Sequence, residues 1–189
     1  MNKLKEKIVY EGKTFQIIKK PIKSKKRIFE LEIARRSPGI RLIIVKKNKI
    51  LLTREFRPGL NKYDYRLPGG KVFDTLKEYK QSISKKQNLL GAAKRAAEKE
   101  CAEETGLIPK NVNLFQISKA GLTVEWDLFY FIADDFTKNG KGQQLEPDEI
   151  IYPEWKTFEQ VKEFCLNGKI SEDRSVGVLL KFLFKKRVH

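Results

Sequence analysis

Apolar and polar residues alternate near the start of the chain as they do in half-exposed antiparallel strands. Three strands are predicted, at residues 7–10, 14–19 and 28–34, with the first turn at Gly12-Lys13. A second hairpin is predicted from residues 41–45 and 50–54, whose continuous apolar character indicates burial on both faces. Pro68-Gly69-Gly70 then breaks the pattern and forms a loop whose backbone can approach a ligand closely.

Helical periodicity begins in the middle of the chain. Residues 75–88 are polar with weak helical character, and from Leu89 to Cys101 an apolar residue recurs at every fourth position. Gly106 is predicted to end this helix as a left-handed cap. Further strands are predicted at residues 113–118, 128–133 and 150–155, and Pro153 favours an edge position for the last of them.

Two helices are predicted to close the chain. Thr157 and Gln160 have the spacing of a capping box, and the helix that they open extends to about Gly168. The last helix covers about residues 172–184, with its apolar residues on one side. This order of elements predicts a mixed α+β or α/β fold, an α/β sandwich with a small N-terminal antiparallel sheet.

The amino-acid composition limits which residue types could carry out catalysis. The chain has 189 residues, of which 40% are hydrophobic, so a substantial core is expected. No apolar run reaches the length of a membrane span and no signal peptide is visible, so we expect a soluble, cytoplasmic protein. The only histidine is His189, and Cys101 is predicted to be a buried thiol. Catalysis is therefore expected to depend on carboxylates, lysines, arginines and metal.

The formal net charge of +16 raises the hypothesis of a nucleic-acid surface. The lysines, however, are scattered in short runs, and no run is interleaved with aromatic residues as in a stacking surface. A generally lysine-rich surface is therefore favoured over nucleic-acid binding. A positive field would also attract a polyanionic small-molecule substrate.

Three carboxylates converge on one turn near the end of the central helix. Glu100, Glu103 and Glu104 are related by i, i+3 and i+4, a spacing at which like charges cost roughly 0.2–0.5 kcal/mol per pair. A divalent cation would reverse that cost, because Mg²⁺ prefers carboxylate oxygens. We predict a metal site here, with a solvated acidic helix face as the alternative.

Residues 99–107, Lys-Glu-Cys-Ala-Glu-Glu-Thr-Gly-Leu, together with the upstream Gly70, resemble the Nudix box, G-x5-E-x7-R-E-U-x-E-E-x-G-U, where U is aliphatic. The resemblance implies a Nudix-type α/β/α sandwich and a pyrophosphatase that depends on Mg²⁺ or Mn²⁺. It implies that Glu100 and Glu104 are the principal metal ligands. Glu103 would assist as a ligand or catalytic carboxylate, and the Gly69 carbonyl would complete the metal shell.

Flanking segments resemble the ADP-ribose pyrophosphatase branch of that family. They are residues 52–59, residues 120–125, Asp148-Glu149-Ile150, residues 168–170 and Ser175. The implied reaction is hydrolysis of ADP-ribose or a related nucleoside diphosphate sugar to a nucleoside monophosphate and a sugar phosphate. Members of the branch commonly form homodimers through the N-terminal sheet. Residues 1–40 are therefore predicted as a dimerisation element and residues 41–189 as the Nudix domain.

The proposed chemistry also needs a base and groups that bind the substrate. Candidates for the general base are Glu149 first, by analogy with the branch, and then Glu146 and Glu125. Arg54 and Arg57 are candidates to bind phosphate or the terminal ribose, because guanidinium groups suit oxyanions. Candidates for stacking on adenine are Phe15, Phe29 and Phe56.

Departures from the box keep alternatives open. Gly70 and Glu100 are 30 residues apart where the box has 15, so an insertion is predicted near residues 75–90, as a lid or a tolerated surface segment. The early box glutamate has no clear equivalent, although Glu78 could substitute for it in space. Lys99 replaces the box arginine and lacks its bidentate fork. The alternatives are a Nudix enzyme acting on RNA 5′ ends and a catalytically silent ADP-ribose-binding sensor.

Overall fold

The computed structural model describes residues 5–25, 27–147 and 149–187. The strands are β1 (Lys7–Glu11), β2 (Phe15–Lys23), β3 (Ile28–Arg36), β4 (Gly39–Lys46), β5 (Lys49–Arg57), β6 (Lys62–Arg66), β7 (Leu107–Pro109), β8 (Asn113–Ser118), β9 (Val124–Glu125), β10 (Leu128–Ala133), β11 (Phe136–Lys138) and β12 (Ile151–Thr157). The helices are α1 (Leu76–Ser84), α2 (Leu89–Thr105), α3 (Phe158–Leu166) and α4 (Asp173–Arg187). Asp148 and His189, which were used in the sequence predictions, lie outside the described residues.

The N-terminal strands form a small antiparallel sheet, as predicted. Its order is β1-β2-β3-β9, and β9 joins it in parallel to β3 through the pairs Ala34–Val124 and Arg35–Glu125. The sheet therefore includes a strand from well beyond residue 40. The division of the chain into residues 1–40 and 41–189 stays a prediction, and residues 1–4 and 26 of the first segment lie outside the described residues.

A larger mixed sheet forms the centre of the molecule. Its order is β12-β5-β4-β10-β8, with β6 paired to β5, and β4 runs parallel to β10 and antiparallel to β5. Seven of the eight residues of β4 are buried, which confirms the prediction of a strand covered on both faces. β12 lies at the edge of this sheet, where Pro153 costs no ladder hydrogen bond to a further strand.

Helices cover both faces of this sheet. Alternate residues of β4 point to opposite sides, so Ile40, Leu42 and Ile44 pack with α2, whereas Ile43 and Val45 pack with α3 and α4. The small residues Ala93, Ala97 and Cys101 of α2 are fully buried, as their spacing predicted. The α/β/α sandwich predicted from the sequence is confirmed.

The insertion near residues 75–90 contains a helix that the sequence only weakly indicated. Thr75 caps α1 by accepting a hydrogen bond from Glu78 N, and the Glu78 carboxylate accepts from Thr75 N in return. Leu76 anchors the helix because its side chain is buried. Within the described residues, no helix has the length and apolar character needed to cross a membrane. The cytoplasmic location stays a prediction.

Candidate active site

The end of α2 carries the three glutamates to the edge of the central sheet. Asn88 caps the start of α2 by accepting from Gly91 N, and Gly106 ends it with φ of 65°. This is the left-handed cap that the sequence predicted. Because Ala93, Ala97 and Cys101 are small, the helix lies close to β4. Glu100 and Glu104 consequently face the loop at residues 68–70.

This loop is held against β4 by backbone hydrogen bonds. Leu42 N donates to the Pro68 carbonyl at 2.8 Å and Ile40 N donates to the Gly70 carbonyl at 2.9 Å. Gly69 N points the other way and donates to Glu104 Oε2 at 2.9 Å. The Gly69 carbonyl accepts no backbone hydrogen bond from the described residues, so it is available as a ligand.

Both glycines are required by close approaches. A Cβ on Gly69, whose φ is 151°, would lie 2.2 Å from the Ile40 carbonyl oxygen. A Cβ on Gly70 would lie 1.9 Å from Glu100 Oε1. The Pro-Gly-Gly segment therefore brings backbone into direct contact with the glutamate pair.

The glutamates line an acidic cavity of 230 Å³. It is lined by Gly69, Gly70, Lys71, Asp74, Lys99, Glu100, Glu103, Glu104, Gln144, Leu145, Glu146 and Glu149. The loop that brings Glu146 and Glu149 is tied to α2, because Gln144 N donates to the Glu103 carbonyl at 2.9 Å. The Glu149 carboxylate also accepts a hydrogen bond from Glu146 N at 3.1 Å. Of the predicted base candidates, Glu149 and Glu146 therefore face the predicted metal ligands.

Glu100 and Glu104, the two buried carboxyl groups of the cavity, have raised pKa values. Burial, and then the negative charges of Glu103 and Glu149, raise the pKa of Glu100 to about 7 against the opposing charge of Lys99. Burial and the charge of Glu100 raise the pKa of Glu104 to about 8, although Gly69 N and Arg41 oppose this. Buried carboxylates that lack enough positive charge are the groups that a cation would stabilise.

These groups fit a divalent ion at the inner end of the cavity. Glu100 and Glu104 would supply carboxylate oxygens and Gly69 its carbonyl, which are the hard donors that Mg²⁺ takes. Among the described residues, no three acidic, cysteine or histidine side chains stand together as a ready-made cage. Glu103 is instead paired with Lys99 at 3.3 Å. The remaining positions around an ion would fall to water and substrate oxygens, as is usual for Mg²⁺.

The structure does not bring every predicted residue to this cavity. Glu125 lies in β9 of the N-terminal sheet, where it pairs with Arg35 and Lys20. Arg54 lies on β5, pairs with Glu154 at 2.8 Å and packs its guanidinium against the ring of Tyr63. Three candidates are thus engaged elsewhere in the described structure: Glu125, Arg54 and the neighbouring Arg57, which pairs with Glu55 at 2.6 Å.

Phe56 also lies on β5, with 44% of its surface exposed and its edge against Tyr63. Of the other stacking candidates, Phe15 packs against Tyr10 and Phe29 lies on β3, both in the N-terminal sheet. Glu78 caps α1 and does not line the acidic cavity. Cys101 is a buried free thiol, as predicted, and burial raises its pKa to about 11.

Asp74 and Arg41 are charged residues of the site region that the sequence patterns did not indicate. Asp74 lines the cavity from just before α1, at a position after Gly70 to which the box assigns no residue type. Arg41 lies buried in β4 and its charge lowers the pKa of Glu104. A signal for Arg41 was present, because a single arginine in a strand buried on both faces requires a buried partner.

Comparison with known proteins identifies the family. The model of the NUDIX domain matches residues 35–175. A solved structure described as an ADP compounds hydrolase has a TM-score of 0.66 to this chain and 16% sequence identity, and the alignment covers 98% of this chain and 92% of that chain. At this identity the likeness shows the fold, which is the one predicted. Comparison with curated proteins gave no match. Since the family model spans most of the chain, the protein belongs to the NUDIX domain family and is a Nudix pyrophosphatase.

Proposed function

We propose that this enzyme hydrolyses the pyrophosphate bond of ADP-ribose or a related nucleoside diphosphate sugar, with Mg²⁺ or Mn²⁺ as cofactor. The products would be a nucleoside monophosphate and a sugar phosphate. The observation that carries the proposal is the placement of Glu100 and Glu104 against Gly69 and Gly70, with Glu149 across the same cavity. The solved structure with a similar fold is described as an ADP compounds hydrolase, which supports the substrate class.

The charged groups of the acidic cavity divide into proposed metal ligands and a proposed general base. Glu100, Glu104 and the Gly69 carbonyl would hold the divalent ion, which neutralises pyrophosphate oxygens and lowers the pKa of water when bound. Glu149 is the proposed base, because its carboxylate lines the cavity and can accept a proton from the attacking water. Glu146 is the second candidate from the same loop. Glu125 has a weaker case, since Arg35 and Lys20 already surround it.

Arg54, Arg57 and Phe56 are proposed to contact the substrate beyond the cavity. The loop that carries Glu149 leads directly into β12, and Ile151 of β12 pairs with Glu55 of β5. This places the end of β5 beside that loop. To bind substrate, Arg54 would break its ion pair with Glu154, or Arg57 its ion pair with Glu55. The freed guanidinium would then donate to a phosphate or ribose oxygen.

The test is a hydrolysis screen over ADP-ribose, nucleotide sugars, dinucleotides and capped RNA, with and without Mg²⁺. We expect turnover of ADP-ribose or a nucleotide sugar only with the metal. Glu104→Gln should lose at least about 100-fold in kcat/KM, because even residues that only support a metal ligand cost 10- to 100-fold. Glu98→Gln is the matched control, since Glu98 lies on the same helix but does not line the cavity. Equal activity of the two variants would contradict the metal assignment, and no turnover of any substrate would contradict the enzyme's proposed reaction.

We also propose a homodimer through the N-terminal sheet. Its strands expose large apolar side chains, including Ile8, Val9 and Tyr10 of β1, which are 46–55% exposed. Exposed apolar residues that cluster in this way mark association surfaces. Light scattering should give twice the mass of the 22.0 kDa chain, and a monomer at micromolar concentration would refute the proposal.

A further inference from the structure

A second and larger cavity lies far from the acidic one. It has a volume of 720 Å³ and shares no lining residue with the acidic cavity. We call it the basic groove and define it by Lys46, Lys47, Lys49, Lys186, Trp155 and Phe158. The acidic cavity borders the start of β4 and the basic groove borders its end, so about 23 Å of strand separates them at 3.3 Å per residue.

Positive charge is concentrated in the basic groove by the fold. Lys46, Lys47 and Lys49 come from the β4–β5 turn and Lys186 from the end of α4, whereas Glu159 is the only carboxylate among the described lining residues. Some lysines elsewhere are paired with acids, as in Lys110–Asp135 at 2.9 Å. A cavity with four ammonium groups against one carboxylate complements a polyanion.

Two half-buried aromatic rings lie among these lysines. Trp155 is stacked on Phe136 with a centroid distance of 5.9 Å and an interplanar angle of 22°. Phe158 is held edge-on to Phe182 at 6.1 Å. Because each ring packs against an aromatic neighbour, the groove offers planar apolar surfaces that need little ordering on binding. Such surfaces beside lysines suit nucleobases beside phosphates.

The backbone at Lys47 makes glycine the suitable replacement at this position of the groove. Lys47 has φ of 54°, in the left-handed region, within the two-residue turn between the paired residues Lys46 and Lys49. Glycine or asparagine is the ordinary choice at such a position, because a side chain there is unfavourable.

We propose that the basic groove binds a segment of single-stranded nucleic acid, with phosphates on the lysines and a base against Trp155 or Phe158. The lysines lie on two separate elements with the aromatic residues in the same lining, which matches phosphates spaced along a strand. A free nucleotide carries its phosphates at one point and would use only part of this set. The proposal concerns a site separate from the pyrophosphatase site and does not depend on the substrate proposed for it.

The test measures binding of a labelled single-stranded oligoadenylate of about ten nucleotides, a length within the usual site sizes for such proteins. Fluorescence anisotropy is measured over a range of salt concentrations. EDTA is present throughout, so that metal-dependent binding at the acidic cavity is absent. Four phosphate contacts predict a slope of log K against log salt of about −2.8, at about 0.7 per contact for single strands. The variants are Lys47→Gly and the matched control Lys86→Gly.

The control is close, because Lys86 is also a lysine with positive φ, of 51°, but lies after α1 and outside the groove. Each substitution removes one charge and one left-handed lysine, so both variants should keep or gain thermal stability. Lys47→Gly should weaken binding about fivefold at 0.1 M salt and reduce the slope by about 0.7, and Lys86→Gly should change neither. Lys186→Gln should repeat the effect of Lys47→Gly.

Three results would overturn the proposal. Equal weakening by Lys47→Gly and Lys86→Gly would show that overall charge, and not the groove, attracts the strand. Equal affinity for polyglutamate of the same length would exclude recognition of bases. If ADP displaced the oligoadenylate and bound as tightly as the oligoadenylate does, the groove would be a site for free nucleotides.

Discussion

Replacement of Glu172 is expected to be among the most damaging single substitutions outside the acidic cavity. Glu172 forms a bidentate pair with the buried Arg41, through Nε at 2.9 Å and Nη2 at 2.8 Å. Both side chains are only 10% exposed. The hydroxyl of Ser175 also donates to the Glu172 carboxylate, and Arg41 Nη1 donates to the Ile40 carbonyl beside the Gly70 loop. The pair therefore supports the strand on which the acidic cavity is built.

Two independent routes give the size of the effect. Removing one partner of a buried ion pair costs about 3–5 kcal/mol, because the other charge is left without compensation. Separately, burial alone would raise the pKa of Glu172, but the hydrogen bonds and charge of Arg41 outweigh it and lower the pKa from 4.5 to about 2. At 1.36 kcal/mol per pKa unit, this difference corresponds to about 3 kcal/mol of folding free energy.

The contribution of Glu172 to the free energy of unfolding should decrease at acidic pH. Because the folded-state pKa of Glu172 is lowered, its contribution is fully present above about pH 4.5 and is lost as the pH falls toward 2. Urea denaturation at neutral pH should show Glu172→Gln less stable than wild type by about 3 kcal/mol. The difference between the two proteins should then shrink as the pH falls from 5 to 2.

The matched control is Glu32→Gln, whose carboxylate pairs with Lys19 at 3.4 Å but is 70% exposed. Its loss should stay below about 1 kcal/mol, as for surface pairs in general. A loss of less than about 1 kcal/mol for Glu172→Gln, or a constant difference from wild type down to pH 2, would refute this reasoning.

Further predictions concern the acidic cavity. Without metal, thermal stability should rise as the pH falls from 8 to 5, because Glu100 and Glu104, with pKa values raised to about 7 and 8, take up protons more readily in the folded state. Mg²⁺ should raise the melting temperature at pH 8 and flatten this profile, and a flat profile without metal would contradict the assignment. Gly70→Ala should lose about 100-fold in kcat/KM, because its Cβ would displace the Glu100 carboxylate. Gly59→Ala, with open space around its Cβ, should remain fully active, and equal activities would count against the close approach.

Local signals in the sequence were sufficient for much of the fold. The four-residue apolar spacing of α2, the Gly106 cap and the Thr157–Gln160 capping box all depend on neighbours within a few residues, and all are present. The weak prediction at residues 75–88 corresponds to α1, which the local Thr75–Glu78 capping box begins and the buried side chain of Leu76 anchors. Burial of one residue in tertiary structure is not encoded in local periodicity.

At the candidate site, the sequence indicated the residues of one helical turn and one loop more clearly than the residues around them. Glu100 and Glu104 were recognisable because their spacing is local, and Gly69 and Gly70 because Pro-Gly-Gly is a local break. Asp74 was not indicated; Arg54 and Arg57 were candidates because of their guanidinium chemistry, and Glu125 was a candidate by resemblance. The ion pairs of Arg54 with Glu154 and of Glu125 with Arg35 depend on strand pairing that joins distant segments, whereas Arg57 pairs with Glu55 on its own strand.

By itself, then, the sequence determined eight of the twelve strands in the described part of the chain, the helices and the acidic turn of α2, because these depend on patterns among residues close together in the chain. Only the tertiary structure decided which charged groups from distant parts of the chain lie together. It buried Glu104 beside the Gly69 amide, and it brought Lys186, Trp155 and Phe158 beside the lysines of the β4–β5 turn to form the basic groove. The physical reason is that electrostatic interactions and desolvation depend on distance and burial in space, and residues far apart in the chain acquire both only when the sheet forms.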